Sequence, residues 1–395
     1  MTPNLSSEPL KNFYRTSPMR EGILNWYPFE KGASVFESTN GALTQYLCSN
    51  CGKVVSLGKD CPGEDKFDYV VVVDPARISL QLLKQYSSYL KPHGRLLMAF
   101  ENPYGLQYFA GKRNSRVGLP YTFSEGESKA EVVSRLRQAG FVSQKWYYPF
   151  TNHYFTREIY SDAYQPNSFL NNRGGEFLED DYMKEFDERT MWHEVIRNGA
   201  FQFLCHAYLV EASLDGKAKM CDVDFAAITA YREQHKAFIT TVHSNGTACK
   251  KAVFEAGIAA LQATADNHKD LAELGVNVLP VKFVNDSLMM KRINLPTLWD
   301  YWCEKLMEGN LTKSELFYHY DRIKEAIYQS AKNGRCYWEL VPANCFYDTS
   351  NDELLFFDQE YYWDNADPDI ALVRAICALK YSTEFHNDVR TVEWI

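Results

Sequence analysis

The chain has no run of about 18 apolar residues, the length that a helix needs to cross a bilayer core, so no membrane span is expected. Its opening stretch, MTPNLSSEPLKNFYRTSPMR, lacks the apolar segment of a signal peptide, which predicts a protein that starts and stays in the cytoplasm. Basic excess is missing too. Lys and Arg number 42 against 51 Asp and Glu, a net charge of −9. A general nucleic-acid binder needs a basic face, so no nucleic-acid partner is expected. Cys48 and Cys51 form a CxxC with Cys61 further on, but no second CxxC and no HxxxH completes a zinc set. The ten scattered cysteines therefore read as loop and core thiols. Internal repeats and low-complexity blocks are also absent. What is present is 395 residues, 46% hydrophobic and 15% aromatic. That is too apolar for a disordered chain and longer than one core usually serves, so two domains are predicted.

Residues 31–160 alternate between strand and helix patterns. Ser34-Val35-Phe36 and Val54-Val55-Ser56-Leu57 are short strands. Val70-Val71-Val72-Val73 and Arg95-Leu96-Leu97-Met98-Ala99-Phe100 are continuous apolar runs of the kind buried in parallel sheets. Between them Leu80 to Leu90 has helical spacing, with Pro92-His93-Gly94 as its stop. Ala130 to Ala139 is amphipathic and is closed by Gly140. This alternation predicts a Rossmann-like, doubly wound α/β domain over 1–165. Asn, Gly and a charged run mark 166–200 as a connector. The rest, 201–395, runs strands, helix, strands, helices, an α+β pattern. It includes strand-like Phe201 to Glu211, an Asn245-Gly246 hairpin turn, a helix over about 255–274, and Thr312-Lys313-Ser314-Glu315 as a capping box.

The sharpest chemistry lies in Glu339-Leu340-Val341-Pro342-Ala343-Asn344 and Leu354-Leu355-Phe356-Phe357-Asp358-Gln359-Glu360. A carboxylate precedes an asparagine by five positions, and an aspartate ends an apolar strand fourteen positions after it. Phosphoryl transfer is mostly positioning and charge neutralisation, so it needs hard oxygen ligands for Mg²⁺ and a carboxylate near the acceptor hydroxyl. The segment resembles the C-terminal lobe of protein-kinase-like and aminoglycoside-phosphotransferase-like enzymes. The resemblance implies Glu339 as the catalytic acid residue, Asn344 and Asp358 as metal ligands, Lys250 as the strand lysine contacting phosphates, and ATP with Mg²⁺ as cofactors. Tyr337 stands where the family has its loop histidine, and Gln359 and Glu360 replace Phe and Gly of the protein-kinase triplet. No glycine-rich loop precedes Ala237, and the nearest acid for the lysine, Glu255, sits on an uncertain turn. The alternative reading makes Glu339 a loop cap, Asn344 a turn residue and Asp358 a strand end.

In the first half, Leu90-Lys91-Pro92-His93-Gly94-Arg95-Leu96-Leu97, Glu101-Asn102-Pro103-Tyr104-Gly105-Leu106-Gln107-Tyr108-Phe109-Ala110-Gly111 and Tyr147-Tyr148-Pro149-Phe150 resemble class I S-adenosylmethionine-dependent methyltransferases of bacterial polysaccharide assembly, over about 20–160. The resemblance implies a cofactor site at Glu37 and Gly41, with Asp74 as a substitute acid. The chain departs from the pattern. The loop after Glu37 keeps one glycine, the second strand ends without an acid, and the stretch before Phe67 is short, as though a strand and helix were missing.

Together the halves resemble O-antigen chain-terminating methyltransferase–kinases. That resemblance implies a cytoplasmic transferase acting on a glycan or lipid-linked glycan acceptor, with a protein partner in a glycan-assembly complex. The alternatives are a methyltransferase alone, a phosphotransferase beside a degenerate module, and a scaffold of two inactive domains.

Overall fold

Val70, Val71 and Val72 are fully buried and Val73 nearly so, which is what a continuous apolar run requires when helices cover both faces of a sheet. They form the middle of β3 (Phe67–Val73) in the computed structural model. The structure describes residues 17–39, 41, 43–57, 65–114, 118–121, 127–167, 185–186, 188–230 and 232–380. The chain divides into two compact units, 1–231 with 241–245 and 232–240 with 246–395.

The first unit contains β1 (Ser34–Ser38), α1 (Thr44–Asn50), β2 (Lys53–Ser56), β3, α2 (Leu80–Tyr89), β4 (Leu90–Glu101), α3 (Lys129–Gln138), β5 (Ser143–Phe150), β6 (Glu158–Ser161), α4 (Glu188–Arg197), β7 (Ala207–Ser213) and β8 (Val223–Ile228). Its strands lie in the order β2-β1-β3-β4-β7-β5-β6-β8. The first four are parallel, and β7 runs antiparallel to both β4 and β5. Order β2-β1-β3-β4 reverses direction at β1, as a doubly wound sheet of order 3-2-1-4-5-6 does, but here β2 is the end strand. The short stretch before Phe67 matches that missing strand.

Local chemistry explains the helices. Ser79 caps α2, its side chain accepting from the Leu82 N–H, and Leu83 and Tyr86 face the core. A complete Ser128/Glu131 capping box opens α3. Gly140, at φ +96°, closes it, with the Phe141 N–H reaching the Leu136 carbonyl at 3.0 Å. Pro92-His93-Gly94 is not the helix stop predicted. Leu90 is already the first residue of β4, and the three residues fall where pairing with β3 slips from Leu90 to Arg95. A strand can carry proline and glycine at such an irregularity.

The predicted boundary needs correction. The expected strand at Phe201 to Glu211 is a short helix, Phe201–Leu204, followed by β7. β7 then fills the slot between β4 and β5, pairing Leu97 with Glu211 and Tyr147 with Leu209. Residues 201–231 therefore belong to the first unit rather than to a domain beginning at 201. About half of the connector expected at 166–200 lies outside the described residues, and its end carries α4.

β9 (Phe238–His243) begins in the second unit with residues 238–240, and β10 (Thr247–Ala252) lies wholly within it, after Gly246 at φ +83°. Then follow α5 (Ile258–Glu273), β11 (Val281–Val284) and β12 (Ser287–Lys291). Asn285 and Asp286 both have positive φ, the backbone that a two-residue hairpin turn demands. The sheet order is β9-β10-β12-β11. Three helices complete the unit: α6 (Leu298–Met307), capped by Thr297, α7 (Lys313–Ser330), capped by Thr312, and α8 (Pro368–Lys380). Leu316, Tyr320, Ile323 and Ile327 make the buried stripe of α7, as their spacing predicts. Between α7 and α8 stand β13 (Arg335–Tyr337), a turn at Pro342–Asn344, and the hairpin β14 (Cys345–Asp348)–β15 (Glu353–Phe356).

Candidate functional site

Lys250 projects from β10 and is 7% exposed, whereas its neighbour Lys251 faces solvent, as strand alternation requires. A buried ammonium must be paired. Lys250 Nζ lies 2.6 Å from Asp358 Oδ1 and also contacts Glu360 Oε1, and it sits 4.9 Å from the centre of the Phe238 ring. Two carboxylates hold Lys250 fully charged, while its ammonium pulls the Asp358 carboxyl below its usual range despite the opposing effect of burial.

Asp358 follows β15 with φ +57°, a left-handed backbone unusual for a residue with a side chain. Such strain persists only where the surroundings impose it. Here they do. The Gln359 N–H donates to His268 Nε2 at 3.3 Å, and Asn267 Nδ2 donates to the carbonyls of Gln359 and Glu360 at 3.0 and 3.3 Å. His268 donates from Nδ1 to the Leu279 carbonyl at 2.8 Å, which leaves Nε2 as the acceptor, and burial keeps the ring neutral. Gln359 is fully buried and donates to the Glu339 carbonyl at 3.0 Å. Tyr337, fully buried in the loop-histidine position, reaches Asn267 Oδ1 at 3.4 Å. The departure at 337 thus ties the Glu339 loop to the helix that holds the Asp358 backbone, and the departure at 359 ties the Asp358 segment to the Glu339 loop.

Glu339 accepts the Glu360 N–H at 3.3 Å and lies 3.7 Å from Arg374. Burial and the negative charges of Asp358 and Glu360 raise its carboxyl to about 7. Asn344 is half buried, and its carbonyl accepts the Phe357 N–H at 2.9 Å, next to Asp358. The structure therefore brings Lys250, Glu339 and Asp358 into one charged cluster and anchors the Asn344 backbone beside it. It adds Glu360, noted in the sequence only as a replacement for the triplet glycine, and Asn267 and His268, which no motif marked. Glu255 is exposed in a short 3-10 turn.

The carboxyl edge of the first unit's sheet carries three acids on successive parallel strands. Glu37 is the next-to-last residue of β1 and is 2% exposed. Each of its oxygens takes two donors: the Thr39 N–H and hydroxyl at 2.7 and 2.5 Å, and the Thr44 and Ser56 hydroxyls at 2.6 and 2.5 Å. Burial pushes this carboxyl up, and the hydroxyl donors of Ser56, Thr39 and Thr44 more than reverse it. Gly41 follows at φ +82°, a conformation suited to glycine. Asp74 follows β3 at φ +55° and meets His153 Nε2, with Arg20 Nη2 at 3.7 Å. Glu101, the last residue of β4, takes Lys112 at 3.0 Å and Gln107 at 3.2 Å. Asp74 pairs with His153 and Arg20 and Glu37 with Thr39, Thr44 and Ser56, so the residues predicted for one cofactor grip have different partners. Arg20 and His153, 3% and 1% exposed, were not singled out as site residues from the sequence.

Cys48 is exposed and Cys51 half buried; both are free, and among the described residues no cluster of three or more metal-ligating side chains occurs. Cys61 lies outside the described residues. No described helix is long and apolar enough to cross a membrane.

No protein-family model and no curated protein matches the sequence. Solved structures similar to it include a possible histamine N-methyltransferase of Thermotoga maritima, at 13% identity, 52% of this chain, 95% of that one and a TM-score of 0.29. A putative methyltransferase of Bacillus halodurans gives 12% identity, 50% of this chain, 98% of that one and a TM-score of 0.25. A geranyl diphosphate C-methyltransferase of Streptomyces coelicolor gives 11%, 50%, 79% and 0.26. At such scores the likeness carries no argument about chemistry. The Rossmann-like fold of the first unit rests on its own strand order.

Proposed function

We propose that the second unit is a kinase-like phosphotransfer site that uses ATP and Mg²⁺. The observation that carries this reading is the meeting of Lys250, Asp358 and Glu339 in one cluster after the element order strand, helix, strands, helices. The donor chemistry fits the metal. Asp358 is 42% exposed on its side chain, and Asn344 offers an amide oxygen from the adjoining turn, both hard oxygen ligands. Mg²⁺, when bound, supplies charge neutralisation for the transferring phosphoryl group. Lys250 binds phosphate oxygens. Glu339 takes the proton of the acceptor hydroxyl, and a value near 7 suits a base working at neutral pH. The acceptor in this reading is a glycan or lipid-linked glycan hydroxyl at the cytoplasmic face.

The test is binding followed by turnover. ATP with Mg²⁺ should raise the melting temperature of the full chain, because a ligand that prefers the native state stabilises it. Asp358→Ala should abolish that rise and the release of ADP. Absence of any shift in the unaltered protein sinks the reading and favours the scaffold.

A second reading, methyl transfer from S-adenosylmethionine in the first unit, is favoured by the reversal of strand order among parallel strands beside Glu37 and Gly41. The described residues do not fit that cofactor well. Glu37 already accepts four protein donors, and β2 ends at Ser56, whose hydroxyl is one of them. No step is derived through it. A melting shift with S-adenosylmethionine would overturn this assessment.

A further inference from the structure

Resting on the kinase-like reading, we propose that Glu360 is the positioning residue for Lys250, taking the place of an acid on helix α5. In sites of this class the strand lysine is held by a glutamate from the helix that follows it. Helix α5 has no such residue to offer. Its buried face is Leu261, Thr264, Asn267, His268 and Leu271. Its acids are turned to other partners: Asp270 pairs with Arg335, Asp266 accepts from Gln262 at 3.1 Å, and Glu273 lies 3.8 Å from Lys269.

Glu360 instead supplies the carboxylate, from two residues beyond Asp358. Its side chain is 8% exposed and contacts Lys250 Nζ directly. Its backbone is fixed on both sides. The N–H reaches the Asp358 carbonyl at 3.0 Å and Glu339 Oε2 at 3.3 Å, and the carbonyl accepts from Asn267 at 3.3 Å. A flexible lysine held at two carboxylates and against Phe238 has little freedom left.

The two acids then have different duties. Asp358, the more exposed, is shared between Lys250 and the cation. Glu360, nearly buried, keeps Lys250 in place when Asp358 turns to the cation. Without Glu360, Lys250 has only Asp358 and competes with Mg²⁺ for it. The consequence is a shift in metal dependence that a general loss of packing would not produce.

The experiment measures binding of a fluorescent ATP analogue to the full chain across a Mg²⁺ series, for the unaltered protein, Glu360→Gln and Asp270→Asn. Glu360→Gln should raise the Mg²⁺ concentration at half-saturation by about tenfold, the effect of one lost charge-assisted contact. Binding should recover at high Mg²⁺, and Asp270→Asn should follow the unaltered curve. A Glu360→Gln curve that overlays the unaltered one overturns the positioning role and leaves the kinase-like reading standing. So does an Asp270→Asn curve that moves as far. No Mg²⁺-dependent binding in the unaltered protein overturns both. If Glu360→Gln does not fold, Glu360→Asp carries the same test: its shorter carboxylate should move the half-saturation point upward, and an unmoved point overturns the role.

Discussion

Asp74 and Asp358 invite comparison. Each follows an apolar strand, each has a left-handed backbone, and each lies beside a buried cation. Their surroundings differ in charge balance. At the edge of the first unit's sheet, Asp74 has Arg20 and His153, Glu101 has Lys112, and Glu37 has four neutral donors. All three carboxyls are held below their usual values. In the second unit, Asp358 and Glu360 pair with Lys250, Arg232 also acts on Asp358, the half-exposed Arg374 lies beside Glu339, and Glu339 is nonetheless driven upward by the two neighbouring acids. One site is balanced by its own side chains. The other crowds two carboxylates against a third strongly enough to raise it, a condition in which an added cation is stabilising.

Lys250→Met should break the comparison most severely. It leaves Glu360 buried without its cation, a change that costs about 3–5 kcal/mol in comparable buried pairs. Denaturant titration should show that loss, and Mg²⁺ should restore part of it by taking the place of the missing charge. Failure of Mg²⁺ to restore stability would count against crowded carboxylates as the distinguishing feature.

Glu339→Gln sharpens the comparison through pH. The folded value near 7 lies above the ordinary carboxylate value of 4.5. The folded protein therefore retains a proton that the unfolded chain releases between those values. This stabilising contribution is complete below the unfolded value and is lost as pH rises through about 7. The shift corresponds to about 3 kcal/mol, so stability of the unaltered protein should fall from pH 5 to 8 by up to that amount relative to Glu339→Gln. If Glu339 is the base, phosphotransfer should rise over the same range and fall about a hundredfold or more in the variant.

Glu37→Gln is the mildest. Its carboxylate holds Thr39, Thr44 and Ser56 through hydroxyls and one N–H, so the expected loss is about 1–3 kcal/mol, with faster amide exchange at Thr39 and Thr44. ATP binding should be unchanged. A change there would show that the two sites communicate.

Much of this architecture is legible in the sequence because burial writes a local pattern. Val70 to Val73 announce a strand buried on both faces, and Ser128 with Glu131 announces a helix start. The Glu339, Asn344 and Asp358 spacing is readable because the intervening hairpin is short and regular. Glu360 is not, since nothing in its neighbourhood states that a lysine on β10 will meet it. His153 and Arg20 converge on Asp74 from distant segments, and no local periodicity encodes that meeting. The domain boundary fails for the same reason. The Asn-, Gly- and acid-rich composition of 166–200 looks like a linker, yet pairing across it decides which unit owns residues 207–213.

That insertion of β7 has a consequence for how the first unit is made. During synthesis β4 and β5 emerge well before the strand that separates them, and neither pairs with the other in the finished sheet. Until β7 arrives, each presents an open row of backbone donors and acceptors, a template for wrong pairing between chains. Fragments that stop at residue 165 or 200 should consequently aggregate, while one carried through β8 closes the gap.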